Sequence, residues 1–405
     1  MSVVWRGALR VVLGAVLVAV VSVGTPTVTP VRGATPGFTP LTPTWAGVPN
    51  YTNENILHTH WSVDDAAAHA RRFDVIVAWT RDYEGDVAAM RAANPDLMLF
   101  AYMNGSAVGR KYADTFPDDW YLRDATGAKV RSKAYGNYMM DPADPGWIAN
   151  RVATCQEDLA TSDFNGCYLD VLGVSPTRAA YVTGVPIDPR TGQPWTAADW
   201  LAATSSLATA VKSGVTPAPV LGNGLGNGPL YFNATAPTSQ LLDGIDAGMA
   251  ESWLRHARDA IGNYPSIRQW TESIEMLRTS EKPVFALTKV WVSAAITEKR
   301  AWHRFALASF LLANPGGDYF DYSWAPQGLV TDDPFIRATK IGAPVGTYAL
   351  RSGVYQRTYS NGRVLVNPSF DTFTIALGGN YVRLDGVTVN SVTLGPHGAA
   401  ILRLP

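Results

Sequence analysis

Short apolar runs alternate with amphipathic segments between residues 51 and 322. The runs are rich in Val, Ile, Leu, Tyr and Phe, a composition typical of strands that are buried on both faces of a parallel sheet. Eight such strands are predicted, at Asn55–Trp61, Phe73–Trp79, Leu97–Met103, Gly166–Val171, Ala218–Asn223, Gly244–Glu251, Pro283–Trp291 and Gly317–Tyr322.

Segments with helical periodicity separate most of these strands, and Ser62 with Asp65 forms a capping pair for the first of them. Two links depart from the pattern, because Asn104–Asp144 is long and only a short helix near Ser239–Leu242 fits between strands five and six. The other predicted helices are Val63–Arg72, Gly85–Asn94, Gly146–Thr161, Ala197–Ser213, Ser266–Thr279, Thr297–Leu312 and Asp333–Ile341.

Eight strands in alternating βα order predict the fold class α/β, with a (β/α)₈ TIM barrel over residues 51–342. A doubly wound open sheet is the alternative. The pattern changes after residue 342 to polar and apolar alternation, interrupted by turns such as Asn361-Gly362. We therefore expect a small antiparallel β-sandwich domain over residues 343–405.

The N-terminal residues have the layout of an export signal. Arg6 and Arg10 precede the uncharged apolar run Val11–Val23, which predicts a signal peptide over residues 1–34. A retained membrane anchor is the alternative. Residues 35–50 are rich in Pro and Thr and read as a linker. A secreted protein, in the extracellular space or the cell envelope, is expected.

Composition narrows the possible partners. The chain has 405 residues, and its 33 Lys and Arg nearly balance 34 Asp and Glu without a basic block, so a nucleic-acid partner is not expected. Cys155 and Cys167 lack a metal-ligand spacing and are either a disulfide or two buried thiols. No metal or cofactor is predicted, and the sequence gives no oligomeric state.

Two acids occupy predicted strand ends, where TIM barrels carry their active sites. Asp170 ends the fourth strand and Glu251 the sixth, with Asp246 as the alternative if the sixth strand stops earlier. A pair of carboxylates suits glycoside hydrolysis, in which one acts as nucleophile or base and the other as general acid. We expect Asp170 to be the nucleophile and Glu251 the acid, with a pKa raised by its Ala, Gly and Met neighbours, and retention of configuration.

Polar and aromatic residues at the other strand ends would line the mouth of such a barrel. Together they predict a site for a neutral, hydroxyl-rich ligand such as a polysaccharide. The candidate substrate-binding residues are His58, Trp79, Asp82, Tyr102, Asn104, Asn223, Asp246, Trp253, Lys289 and Asp321.

Four segments carry a resemblance to a known family: Met140–Trp147, Phe164–Asp170, Gly244–Trp253 and Gly362–Pro368. In these segments the chain resembles the glycoside hydrolases related to endo-α-1,4-polygalactosaminidases. The resemblance implies a secreted (β/α)₈ hydrolase that acts on an α-linked polysaccharide, with the nucleophile at Asp170 and the acid at Glu251.

Two other functions fit the same residues. A carbohydrate-binding or cell-wall-associated protein could retain the barrel without catalysis, and one of the two carboxylates would then be buried and paired instead of facing the mouth. A transglycosylase would use the same acids with a sugar acceptor in place of water. Fold alone does not decide among these functions, so the enzyme hypothesis rests on Asp170 and Glu251.

Overall fold

A computed structural model describes residues 47–54, 60–324 and 339–405. Within these residues, ten strands precede the C-terminal region; eight form one parallel sheet and the other two pair in a small antiparallel sheet. The strands are β1 (Tyr51–Asn53), β2 (Val75–Ala78), β3 (Met98–Asn104), β4 (Ala107–Val108), β5 (Tyr138–Met139), β6 (Gly166–Asp170), β7 (Val220–Asn223), β8 (Ala247–Ala250), β9 (Val284–Lys289) and β10 (Tyr319–Ser323).

Helices follow most of these strands, as the alternating pattern predicts. Ser62 caps the first helix through its side chain, which accepts a hydrogen bond from the Asp65 backbone N–H at 3.2 Å. The helices are α1 (Val63–Ala70), α2 (Val87–Ala93), α3 (Pro145–Thr161), α4 (Ala197–Val215), α5 (Gly228–Tyr231), α6 (Ile267–Thr279) and α7 (Ile296–Ala313).

The sheet closes into a barrel. Its strands follow chain order, β1-β2-β3-β6-β7-β8-β9-β10, with every neighbouring pair parallel. The two ends meet at a parallel bridge between Asn50 and Phe320, where the Phe320 N–H donates to the Pro49 carbonyl at 3.0 Å. This closure confirms the predicted barrel and rules out the open doubly wound sheet, whose strand order reverses.

Side chains fill the barrel interior, so the barrel is a packed core. Alternation along β2 sends Val75 and Val77 inward and Ile76 and Ala78 toward the helices. Large aromatic rings, including Tyr51, Phe100, Tyr168, Phe285 and Tyr319, occupy the interior and are fully buried. Open space for a ligand therefore lies at the end of the barrel, not along its axis.

The first strand lies earlier than the sequence predicts. Tyr51 to Asn53 pair in register with Val75 to Val77, whereas the predicted strand Asn55–Trp61 lies mostly within residues 55–59, outside the described part of the chain. The first barrel strand among the described residues therefore ends at Asn53, before the predicted strand begins. Most of the predicted helix Asp333–Ile341 also lies outside the described residues.

Two long loops on the mouth side of the barrel pair with each other. Residues 105–144 follow β3, residues 171–196 follow β6, and an antiparallel bridge joins Ser132 of the first to Val182 of the second. Backbone bonds from Lys133 N to Tyr181 O and from Thr183 N to Arg131 O, both 2.8 Å, extend the contact. The loops bury their own apolar cluster, so they form a fixed wall over the carboxyl ends of the strands.

The C-terminal region is an antiparallel β domain, as predicted. Its strands are β11 (Pro344–Arg351), β12 (Val354–Tyr359), β13 (Gly362–Val366), β14 (Phe373–Arg383), β15 (Thr388–Leu394) and β16 (Ala399–Arg403). They form one hydrogen-bonded sheet in the order β11-β12-β13-β16-β14-β15, and an apolar cluster joins β12, β13 and β16 to β14 and β15.

A buried arginine connects this domain to the barrel. The Arg357 guanidinium donates to the carbonyls of Leu311, Leu312 and Asn314 at 3.0, 3.2 and 2.7 Å, at the C-terminal end of α7. These carbonyls have no partner within the helix, so the guanidinium supplies their hydrogen bonds and complements the helix dipole.

A disulfide joins Cys155 of α3 to Cys167 of β6. This settles the two alternatives that the sequence leaves open. Cys167 lies three positions before Asp170 on the same strand, so the disulfide ties the strand that carries Asp170 to the helix before it. Across the described residues, none of the helices combines the length and apolar character needed to cross a membrane.

Candidate active site

Asp170 ends β6 at the mouth of the barrel, and three hydrogen bonds fix its carboxylate. The Tyr102 hydroxyl donates to Oδ2 at 2.6 Å, and the Val171 backbone N–H donates to Oδ1 at 2.8 Å. The third donor is the Asn223 side chain. Val171 has a φ of +61°, which is unusual for a β-branched residue, and the Ser106 hydroxyl holds its carbonyl. The strained residue Val171 thus directly follows Asp170, and its N–H helps to orient the Asp170 carboxylate.

One amide group connects the two candidate acids. Nδ2 of Asn223, at the end of β7, donates to Oδ1 of Asp170 at 2.8 Å and to Oε2 of Glu251 at 3.0 Å. The two N–H bonds of an amide diverge by about 120°, so the two carboxylate oxygens lie on the order of 5 Å apart. Asp170 and Glu251 therefore face the same small volume.

Glu251 directly follows β8 and pairs with a buried lysine. The Lys289 ammonium, at the end of β9, lies 2.6 Å from Oε1 of Glu251, and the lysine side chain is only 6% exposed. The Glu251 side chain keeps 43% of its surface exposed. Glu251 is therefore paired but open to the mouth, unlike the buried carboxylate expected of a non-catalytic barrel.

The two carboxyl groups have pKa values shifted in opposite directions. Burial, followed by the charge of Glu251, raises the pKa of Asp170, although its three hydrogen bonds act against this shift. Burial also acts to raise the pKa of Glu251, but Lys289, Asn223 and the nearby His256 outweigh it and lower that pKa. The raised pKa expected for Glu251 from its apolar neighbours in sequence was wrong, because partners on adjacent strands determine it.

The alternative acid Asp246 lies at the other end of the barrel. It precedes β8, pairs with Lys212 of α4 at 2.8 Å and accepts the Val220 N–H at 2.7 Å. Because strand β8 ends at Ala250, the residue at its carboxyl end is Glu251. The structure therefore separates Asp246 from Asp170 and brings Glu251 to it.

A cavity of about 1570 Å³ opens around the two acids. This exceeds the usual range of about 300–1,000 Å³ for small-molecule pockets, so an extended ligand fits better than a single small molecule. Beyond the two acids, seven predicted residues line the cavity: Trp79, Tyr102, Asn104, Asn223, Trp253, Lys289 and Asp321.

Two of the predicted residues, Asp82 and Trp253, are buried. Asp82 lies in a short 3₁₀ turn, Thr80–Tyr83, and does not line the cavity. Trp253 belongs to the cavity wall but is completely buried, and its indole N–H donates to the Ser273 carbonyl at 2.8 Å. Packing therefore accounts for this tryptophan. His58 lies outside the described residues.

Sequence reasoning missed several site residues that come from the loops. The half-exposed Tyr135 and the partly buried Tyr181 both have raised pKa values, owing first to burial and then to the charges of Glu251 and Asp170. His256, in the loop after β8, contributes to the lowered pKa of Glu251. Loops carry no periodic pattern, so no sequence signal singled out these residues.

A metal centre was not predicted. Within residues 47–54, 60–324 and 339–405, no group of three or more His, Cys, Asp or Glu side chains has an arrangement that could hold a metal ion.

The barrel thus carries two paired acids at the ends of its fourth and sixth strands, and a cavity surrounds them. The sequence model of hypothetical glycosyl hydrolase family 15 matches residues 101–363, which include both acids and most of the barrel. The chain belongs to this family. As a family member it is a glycosidase, an enzyme that hydrolyses O-glycosyl bonds.

Solved structures with the same fold include an amylase and a dextranase. A noncanonic maltogenic α-amylase from Thermotoga neapolitana is 10% identical, with a TM-score of 0.50 over 87% of this chain and 98% of the amylase chain. A GH31 dextranase from Flavobacterium johnsoniae is 11% identical, with a TM-score of 0.52 over 90% of this chain and 52% of the dextranase chain. At these identities the likeness concerns the fold. A comparison with curated protein sequences gave no significant match.

Proposed function

We propose that this family member is a retaining glycoside hydrolase that cleaves an α-linked polysaccharide with Asp170 and Glu251 as its catalytic pair. The observation that carries the proposal is the shared Asn223 amide, which sets carboxylate oxygens of the two acids on the order of 5 Å apart. Retaining glycosidases place their carboxyl groups about 5–5.5 Å apart, whereas inverting enzymes separate them by about 6.5–9.5 Å to admit a water.

Asp170 is assigned the nucleophile. Its carboxylate is fixed by donors from Tyr102, Asn223 and Val171, which stabilise the ionised form and hold the attacking oxygen in place. Glu251 is assigned the acid and base because 43% of its side-chain surface is exposed, so it can reach a leaving group at the mouth. Glu251 protonates the leaving oxygen while Asp170 bonds to the anomeric carbon, and Glu251 then takes a proton from the water that breaks this ester.

The proton of the pair is distributed unequally. Between its two macroscopic pKa values the pair holds one proton, and the lowered pKa of Glu251 places it mainly on Asp170 in the free protein. The reactive form, with Glu251 protonated and Asp170 ionised, is then the minor form. Both forms carry the same number of protons, so activity follows a bell-shaped dependence on pH.

The size and lining of the cavity support a polymeric substrate. Trp79 and Tyr102 contact each other edge to face at 4.9 Å between ring centroids beside Asp170, and Trp291 lies next to Lys289. Such rings stack well on the apolar faces of sugars. The resemblance of four sequence segments to relatives of endo-α-1,4-polygalactosaminidases supports an α linkage.

The protein acts outside the cytoplasm in this proposal. Residues 1–34 would serve as a signal peptide and residues 35–50 as a linker before the catalytic domain. The Cys155–Cys167 disulfide supports this assignment, because disulfides persist mainly in oxidising compartments.

Hydrolysis of a glycan panel tests the proposal. Wild-type protein, Asp170→Asn, Glu251→Gln and the control Asp246→Asn would be incubated with α-linked and other cell-envelope polysaccharides, and released oligosaccharides identified by mass spectrometry. We expect release by wild type and by Asp246→Asn only, because Asp246 lies at the opposite end of the barrel. Binding by every protein without release by any of them would instead indicate a non-catalytic carbohydrate-binding protein.

A further inference from the structure

The charge of the cavity differs from that of the whole chain. The chain is nearly balanced, with 33 Lys and Arg against 34 Asp and Glu. Among the described residues, nine Lys or Arg and four Asp or Glu line the cavity. Positive charge is therefore concentrated around the site, and concave surfaces lined by one sign of charge attract ligands of the opposite sign.

Four of these cations lie exposed on loops at the mouth: Lys111, Lys133, Arg178 and Arg258. The ammonium of Lys133 donates to the Ala179 carbonyl at 2.7 Å, which ties it to the loop that carries Arg178. Arg258 lines the same cavity as Tyr135, Asp170 and Glu251, and its charge acts on the pKa of Tyr135 in the opposite sense to the two acids.

The acids of the cavity leave most of this charge uncompensated. Glu251 pairs with Lys289, and Asp259 accepts the His256 backbone N–H at 3.0 Å and lies beside Arg255. Asp321 belongs to β10, the last barrel strand, away from the loops after β3 and β6. Throughout the described ranges, no acidic side chain lies within ion-pair distance of the four exposed cations.

We propose that the cleft binds a polyanionic glycan, whose acidic groups contact Lys111, Lys133, Arg178 and Arg258 while the sugar at the scissile bond lies between Asp170 and Glu251. This inference rests on the proposed glycosidase function and specifies its substrate class. It replaces the neutral ligand expected from the sequence. It also argues against a galactosamine polymer with free amino groups, which these cations would repel.

A binding experiment separates this inference from the question of catalysis. The Asp170→Asn variant, expected to be inactive, would be titrated with matched α-linked polymers at low and moderate salt. One pair is polygalacturonate and its methyl ester, a second is dextran sulfate and dextran, and polygalactosamine supplies a cationic polymer. We expect tighter binding of the anionic member of at least one pair, with affinity that falls as salt screens the contact. The pair that shows the preference identifies the carboxylate or the sulfate.

A charge variant tests the named residues. The triple variant Lys133→Gln/Arg178→Gln/Arg258→Gln removes three cleft cations, and Arg268→Gln/Arg300→Gln/Arg304→Gln removes three exposed cations from α6 and α7 outside the cavity. Single exposed ion pairs contribute little, so the three cleft changes together are expected to raise Kd for the preferred polyanion by about tenfold. The control variant should bind as the parent does.

Three results would overturn the inference: equal affinity for the charged and neutral members of both pairs, preferred binding of polygalactosamine, or equal loss of binding in the cleft and control variants. None of these results would decide whether the wild type cleaves glycans, which the panel assay measures separately. Conversely, a polyanion that binds tightly but is never cleaved would support the charge assignment and contradict the proposed catalysis.

Discussion

The Lys289 ammonium lies 2.6 Å from Oε1 of Glu251, and this ion pair lowers the pKa of a carboxyl group whose sequence neighbours are all apolar or small. Glu251 directly follows β8 and Lys289 ends β9, and the pairing of these two strands brings the side chains together. The pair therefore affects the step in which Glu251 has to hold a proton.

Replacement of Lys289 by methionine should raise the pKa of Glu251, because a positive charge that favours the ionised carboxyl is lost. Because the single proton of the pair lies mainly on Asp170, the low-pH limb of kcat/KM belongs mainly to Glu251 and should move to higher pH in this variant. The profile is measured from about pH 4 to 9. Lys340→Met, at an exposed position outside the cavity, is the control. An unchanged low-pH limb would contradict the effect of Lys289 on Glu251.

Asn223→Ala should reduce kcat/KM by about 100-fold or more, because the amide that positions both carboxylates is removed. The matched control is Asn104→Ala, since Asn104 lines the same cavity on β3 without a hydrogen bond to either carboxylate. Steady-state kinetics and a thermal melt of each variant provide the comparison. An equal loss in both variants would mean that Asn223 acts only as part of the cavity wall.

The sequence predicts the placement of the acids better than their electrostatics. Asp170, Asn223 and Lys289 were predictable as site residues because each ends an apolar run, and the carboxyl ends of barrel strands meet at one face. Their mutual contacts were not predictable, since Asn223 is 53 positions from Asp170 and Lys289 is 38 positions from Glu251. A pKa set by neighbours on other strands cannot be read from one strand.

Strand boundaries, tertiary packing and the paths of two loops explain the remaining differences between the predicted and the observed site residues. The predicted sixth strand, Gly244–Glu251, begins three residues before β8, so it included Asp246, which lies at the opposite end of the barrel. Trp253 was predicted to bind substrate because it follows the same strand, but tertiary packing buries it completely. The loop residues Tyr135 and Arg178 reach the site through the pairing of two long insertions, and neither insertion has a repeating pattern that predicts its path.

The buried Asp318 should make the protein less stable as pH rises. Its Oδ1 accepts the Val284 N–H at 2.9 Å, its Oδ2 has no partner, and burial raises its pKa to about 8. The unfolded chain releases this proton near pH 4, whereas the folded chain keeps it up to about pH 8, so stability falls between these values. Asp318→Asn should flatten the decline of Tm across this range, and the exposed Asp371→Asn should not. The same slope in both variants would contradict the buried acid.

Loss of the disulfide should destabilise the fold without removing the active site. Replacement of Cys155 and Cys167 by alanine removes a cross-link that spans 12 positions, which is expected to cost about 2–4 kcal/mol of unfolding free energy. Denaturant unfolding measures this change, and activity well below Tm should remain. A thiol titration of the denatured, unreduced protein serves as the control. Two free thiols in that titration would show that the bond does not form.

The measurement that tests the account most directly is the anomeric configuration of the first product, followed by ¹H NMR during hydrolysis of the preferred α-linked glycan. Two carboxylates on the order of 5 Å apart predict attack by Asp170 and a second displacement by water, so the α-anomer should appear first and mutarotate later. A β-anomer formed first would show single displacement by water and would contradict Asp170 as the nucleophile.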